Sequence, residues 1–111
     1  MEFDHYQALA LRTANPDLDP RERLCNAALG LAGEAGEAAD LLKKHLFHNH
    51  PLDRAKLQKE LGDVLWYLAA LAHAADLTLD EIASHNLDKL RARYPEGFDA
   101  ARSQQRPPDE G

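Results

Sequence analysis

Four carboxylates stand in two pairs of equal spacing: Glu34 and Glu37 in GLAGEAGEAADLL, then Glu60 and Asp63 in LQKELGDVLWYL. On a helix an i, i+3 interval puts both acids of a pair on one side, about one turn apart. The pairs lie on separate helical stretches, and the short connector between them contains Pro51. If those stretches fold back on each other as a hairpin, all four acids converge. Converging carboxylates in a partly dry site repel one another strongly unless a cation sits among them. Hard divalent cations take oxygen ligands, and Mg²⁺ in particular is shared between carboxylates, water and substrate phosphates. The pattern points to a Mg²⁺ site, with Mn²⁺ able to substitute, that holds a polyphosphate. Acid pairs also occur on plain solvated helix faces, so the elements that carry these four decide between the two readings.

The spacing predicts four helices. Phe3, Tyr6, Leu9, Ala10 and Thr13 recur every three or four residues over 3–14, an amphipathic period. Asn15-Pro16 ends that helix, because the residue ahead of a proline is pushed out of helical geometry. Asp19-Pro20 then supplies a cap and a first-turn proline for a second helix from about Arg21 to Leu46. Its apolar stripe is Leu24, Ala28, Leu31, Ala35, Ala38, Ala39, Leu42 and Leu46, and Glu34 and Glu37 border that stripe with Asn26, Gly30, Gly33 and Lys44. Gly30, Gly33 and Gly36 each weaken a helix interior by roughly 1 kcal/mol relative to alanine, which implies close approach of another helix or of a ligand. A third helix, about Asp53 to Ala75, has the stripe Leu57, Leu61, Val64, Leu65, Leu68, Leu71 and Ala72, bordered by Glu60, Asp63 and Tyr67. Border placement on both helices separates these acids from an ordinary wet charge run.

Thr78-x-x-Glu81 reads as a capping box opening a fourth helix with Leu79, Ile82, Ala83, Leu87 and Leu90 inside. Asn86, Lys89 and Arg93 run along the border of that face. Lysine holds phosphate as a point charge and arginine as a planar fork, although cations near a helix C-terminus are favoured in any case. Tyr67, one turn beyond Asp63, is the better candidate for a substrate contact. Trp66 is placed either to stack on a base or to pack against the first helix or another subunit. His45, His48 and His50 in HLFHNHPLD share no fixed face and read as a solvated or phosphate-facing loop. The fold class is all-α, an antiparallel four-helix bundle with an acidic pocket opposed by Lys89 and Arg93.

The chain has 111 residues, enough for one domain over 1–100 followed by a flexible polar tail over 101–111. Its net charge of -6 argues against a nucleic-acid backbone partner, which calls for a basic face. No stretch has the length of a membrane span, and the N-terminus lacks a signal-peptide pattern. The single Cys25 precludes an internal disulfide and fits a reducing compartment, so the expected location is cytoplasmic.

The segments GLAGEAGEAADLLKK, ELGDVLWYLAALA and NLDKLRARYPEGF resemble the MazG-like nucleoside triphosphate pyrophosphohydrolases, of the all-α NTP pyrophosphohydrolase superfamily. The family signature E-x-x-E, spacer, E-x-x-D is matched by Glu34, Glu37, Glu60 and Asp63, and the similarity spans about residues 21 to 99. The resemblance implies cleavage of a (deoxy)nucleoside triphosphate between the α and β phosphates, giving the monophosphate and pyrophosphate. It implies that the four acids ligate Mg²⁺ and that Lys89, Arg93 and, more weakly, Lys44 address the phosphate tail. Asn26, Tyr67 and Asn86 would meet sugar or base, and the enzyme would be a homodimer or homotetramer. Glu37 is the expected proton acceptor for the attacking water. Alternatives at this level are a dUTP- or dCTP-selective hydrolase, a phosphoribosyl-ATP pyrophosphatase and a non-catalytic helical interaction module. A di-iron bundle would need Glu-x-x-His on two helices, and neither pair has the histidine.

Overall fold

A computed structural model describes residues 1–105 of the chain. Its order is α1 (Phe3–Ala10), a 3₁₀ turn (Leu11–Thr13), α2 (Pro20–Phe47), α3 (Arg54–Ala74), α4 (Leu79–Arg93) and α5 (Ala100–Gln104). There is no strand among the described residues, so the fold class is all-α, as expected. The chain falls into two compact units, Met1–Leu79 and the part from Asp80 onward.

Local sequence sets the helix ends. Asp19 accepts the Glu22 N–H at 2.8 Å while the Glu22 carboxylate accepts the Asp19 N–H at 3.0 Å, a reciprocal cap that satisfies two donors at the start of α2. Pro20 occupies the first turn, where its missing N–H costs nothing. Asp53 starts α3 in the same way, accepting from Lys56 N–H at 3.0 Å. The expected first helix over 3–14 is shorter in α form: it tightens to 3₁₀ after Ala10, and the Thr13 hydroxyl donates to the Ala10 carbonyl at 2.7 Å. The expected polar tail begins with the short helix α5, capped by the Asp99 side chain on Ala101 N–H. Its remainder, 106–111, lies outside the described residues.

Within the first unit α2 and α3 form an antiparallel hairpin. Asn26 and Ala27 share a cavity with Ala70, His73 and Ala74, Gly30 meets Tyr67, and Glu34 meets Glu60 and Asp63. The buried seam of α2 is rotated about one residue from the apolar stripe read in the sequence. Ala27 is buried at 2% exposure while Ala28 is exposed, and Leu24, Leu46 and Leu61, expected inside, are exposed. A hairpin covers one seam of each helix and leaves the edges of a wide stripe in water. Small residues make the seam because they let the helices approach closely. Ala27, Ala69, Ala72 and Leu79 are the buried apolar residues, and no large side chain is wholly enclosed among the described residues. In the second unit Leu87 and Leu90, also expected inside, are exposed.

Candidate metal centre and nucleotide site

The rotated seam carries the acids inward with it. Carboxylate oxygens of Glu34, Glu37 and Glu60 all lie within 4.8 Å of one another. Glu34 and Glu60 are half-buried, Glu37 is exposed, and one oxygen each of Glu34 and Glu60 (both Oε2) is buried without a hydrogen-bond partner. Asp63 lies outside this trio but lines an open pocket with Glu34, Trp66 and Tyr67. The crowding shows in the charge state: a hydrogen bond that the protonated Glu34 carboxyl donates to Glu60, aided by burial and by the charges of Glu37, Asp63 and Glu60, raises the Glu34 pKa to about 7. In such a pair one carboxyl holds the proton, since two adjacent carboxylates repel each other. Mg²⁺ takes six oxygens at about 2.0–2.1 Å, so its ligands stand at most about 4.2 Å apart; oxygens within 4.8 Å of one another reach one ion after a small inward movement of the side chains. Carboxylates that cluster this closely and leave buried oxygens without a partner offer the kind of oxygen donors such an ion takes.

Tyr67 explains one glycine. Its ring lies so close over Gly30 that a β-carbon there would overlap it, and it meets Trp66 edge-on with centroids 5.1 Å apart. Among the described residues no atom comes within 4 Å of the place a β-carbon would take on Gly33 or Gly36, so the close approach expected there is not made within the chain. Trp66 packs on the first helix: its Nε1 donates to the Ala10 carbonyl at 3.0 Å and to the Thr13 hydroxyl at 2.9 Å. Its ring borders a second cavity of about 230 Å³, lined by Leu11, Leu18, Arg23, Asn26 and His73 among others. Asn26, expected at the substrate, therefore lies one tryptophan away from the carboxylate pocket.

Lys44 is engaged elsewhere. It pairs with Asp40 at 3.0 Å, and that hydrogen bond, with the nearby lysines, lowers the Asp40 pKa. The connector histidines join no metal-holding group among the described residues; His45 Nδ1 instead lies 2.9 Å from the His50 carbonyl and closes the loop. In the second unit Asn86, Lys89 and Arg93 follow one another along α4, with Lys89 and Arg93 half-buried and Asn86 exposed. The Arg93 guanidinium lies 5.9 Å from the Tyr94 ring centroid. Two residues near the site were not singled out by spacing. Tyr6 has its phenol pKa raised by burial and by the charge of Asp63, and Gln7 is the buried polar side chain that fixes α1. In the sequence Tyr6 is only a position of the amphipathic period and Gln7 only a polar neighbour, because the groups they meet lie on distant segments.

A helical hairpin that brings E-x-x-E against E-x-x-D defines a class of acidic helical sites, and the comparison with known proteins gives it a family. Residues 25–98 match the MazG nucleotide pyrophosphohydrolase domain, and the chain belongs to that family, whose members are hydrolases acting on acid anhydrides. Gene 37 protein of Mycobacterium phage L5 is 41% identical over 105 residues, covering 87% of this chain and 92% of the phage protein. dCTP pyrophosphatase 1 of Rattus norvegicus and of Homo sapiens are each 40% identical over 76 residues, covering 63% of this chain. The chain spans 45% of the length of those two enzymes. No solved structure matches. No helix of the described residues is long and apolar enough to cross a membrane.

Proposed function

We propose that this protein hydrolyses a (deoxy)nucleoside triphosphate between the α and β phosphates, releasing the monophosphate and pyrophosphate, with Mg²⁺ (or Mn²⁺) held by Glu34, Glu37, Glu60 and Asp63. The observation that carries the reading is the cluster of three carboxylates within 4.8 Å, two of them with buried unpartnered oxygens. When bound, the cation neutralises phosphate charge and makes water a stronger nucleophile. Glu37, the exposed member, accepts the proton of the attacking water, since it is the acid least enclosed by the others. Lys89 and Arg93 hold the phosphate tail and disperse the charge that grows on the leaving pyrophosphate. Lys44 joins them only if triphosphate draws it from Asp40. Tyr67 lies along the sugar, Asn26 and the adjoining cavity take the base, and Asn86 adds a polar contact.

A second, narrower reading is selectivity for dCTP and related pyrimidine nucleotides, favoured by the two mammalian relatives that carry that name. Phosphoribosyl-ATP hydrolysis and a non-catalytic helical module have no comparable support. We further propose a cytoplasmic homodimer or homotetramer binding neither nucleic acid nor membrane. Support for self-association comes from α2, where Leu29 is 70% and Phe47 77% exposed on the side that also carries the open Gly33 and Gly36.

The test is pyrophosphate release over a panel of canonical nucleoside triphosphates, with and without Mg²⁺. Activity should require the cation. Glu37→Gln and Asp63→Asn should each lower kcat at least about a hundredfold, the scale of losing a general base or a cation ligand, with helix content unchanged by circular dichroism. Unimpaired turnover by either variant, or pyrophosphate release in excess chelator, removes the proposal.

A further inference from the structure

Gln7 stands at 6% exposure on a short helix whose neighbours are mostly in solvent, and its amide is used at both ends. Nε2 donates to the Ala69 carbonyl at 3.1 Å and to the Leu77 carbonyl at 3.3 Å, and Oε1 accepts the Leu79 N–H at 3.1 Å. Leu79 is the first residue of α4, and no carbonyl within that helix can serve its N–H. A buried amide with this set of partners is satisfied in one arrangement only, because sliding α1 along α3 would strand donors and acceptors away from water. The second anchor is one turn on, where Trp66 Nε1 holds the Ala10 carbonyl and the Thr13 hydroxyl.

Helix α1 is thus pinned along the stretch of α3 that presents Asp63, Trp66 and Tyr67. The Trp66 ring is common to the linings of the carboxylate pocket and the cavity that holds Asn26. Its orientation hangs on acceptors at the end of α1, and their position along α3 hangs on Gln7.

We propose that Gln7 is a positioning residue of the nucleotide site: its buried amide fixes the register of α1 on α3 and so holds the Trp66 indole as the partition between the carboxylate pocket and the cavity beside Asn26. The kinetic half of this inference rests on the nucleotide reading above; the spectroscopic half does not.

Trp66 is the protein's sole tryptophan, so its emission reports the partition directly. Gln7→Met keeps the length of the side chain and removes its donors and acceptor. With far-UV circular dichroism unchanged, its tryptophan emission should shift to the red and become more accessible to acrylamide. KM for dCTP with Mg²⁺ should rise about tenfold with kcat within about threefold, the pattern of lost binding and intact chemistry. Thr13→Val, at the surface end of the same strap, should move the emission in the same direction by less. In a Trp66→Phe background Gln7→Met should raise KM no further, since both act through one side chain. If Gln7→Met does not fold, Gln7→Glu, which keeps the acceptor for Leu79 and loses both donations, takes its place. Wild-type emission and KM in the Gln7 variant, or KM effects that multiply in the double variant, overturn the proposal. If the wild-type protein hydrolyses no triphosphate, the functional reading fails and the emission experiment still decides whether Gln7 holds Trp66.

Discussion

At Glu34 the demands of folding and of function meet in one proton. Its pKa of about 7, set first by the Glu60 hydrogen bond, lies above the ordinary 4.5, so the folded chain binds this proton more tightly than the unfolded chain does. Linkage fixes the sign: the stabilising contribution is fully present below about pH 4.5 and is lost as pH rises through about 7. The melting temperature of cation-free protein should therefore fall across that interval, and Glu34→Gln should remove this part of the fall. On the proposed reading a divalent cation would take the proton's place. Mg²⁺ uptake at pH 6 should release protons, its apparent affinity should rise towards pH 7, and above that it should level off as far as Glu34 governs it. Titration calorimetry in two buffers of different ionisation enthalpy reads the released protons directly. Equal heats in both buffers at pH 6 would mean that Glu34 is not at the cation.

Between α2 and α3 the deciding quantity is how closely two helices can pass. Tyr67 lies over Gly30, so Gly30→Ala must displace the ring. Overpacking costs about 1–3 kcal/mol, whereas the gain in helix propensity is about 1 kcal/mol, so the variant should be neutral to destabilised by about 2 kcal/mol. Its nucleotide KM should rise, because Tyr67 has moved. The β-carbon of Gly33→Ala would have open space around it among the described residues, so the variant should keep only the propensity gain in a lone subunit. Denaturant unfolding of the pair separates the two cases, and equal shifts would refute the assigned contact. The helix ends on either side of this seam were legible in advance, because Asp19, Pro20 and Asp53 act on backbone groups a few residues away. The seam was less so. Hydrophobicity marked Ala28 and Leu24 as inner positions, but the helices chose their line of closest approach by volume, bringing Ala27 and Gly30 in and turning Leu24 out. The acid pairs were readable because i, i+3 spacing survives such a rotation. Gln7 was not, since its partners lie 62 to 72 residues away in sequence.

Over the whole molecule the apolar residues outnumber the places a single chain offers them. Hydrophobic residues make up 44% of the sequence, yet no large side chain is fully enclosed among the described residues. Leu29, Gly33, Gly36 and Phe47 fall within about 60° of arc at 100° per residue, on the side of α2 turned away from Ala27. The glycines allow a backbone to come close, and the leucine and phenylalanine flank them with surface to bury. That face suits a second copy of the chain better than water, and Glu37 stands beside it, so association would also dry one edge of the carboxylate cluster. Sedimentation should accordingly find a dimer or tetramer at micromolar concentration. Leu29→Lys combined with Phe47→Lys should shift it towards monomer, lower the melting temperature and abolish its dependence on protein concentration. Gly36→Leu should disrupt assembly as well, although a β-carbon at that position has open space around it among the described residues. A wild-type protein that stays monomeric up to near-millimolar concentration would leave the exposed face of α2 without this explanation.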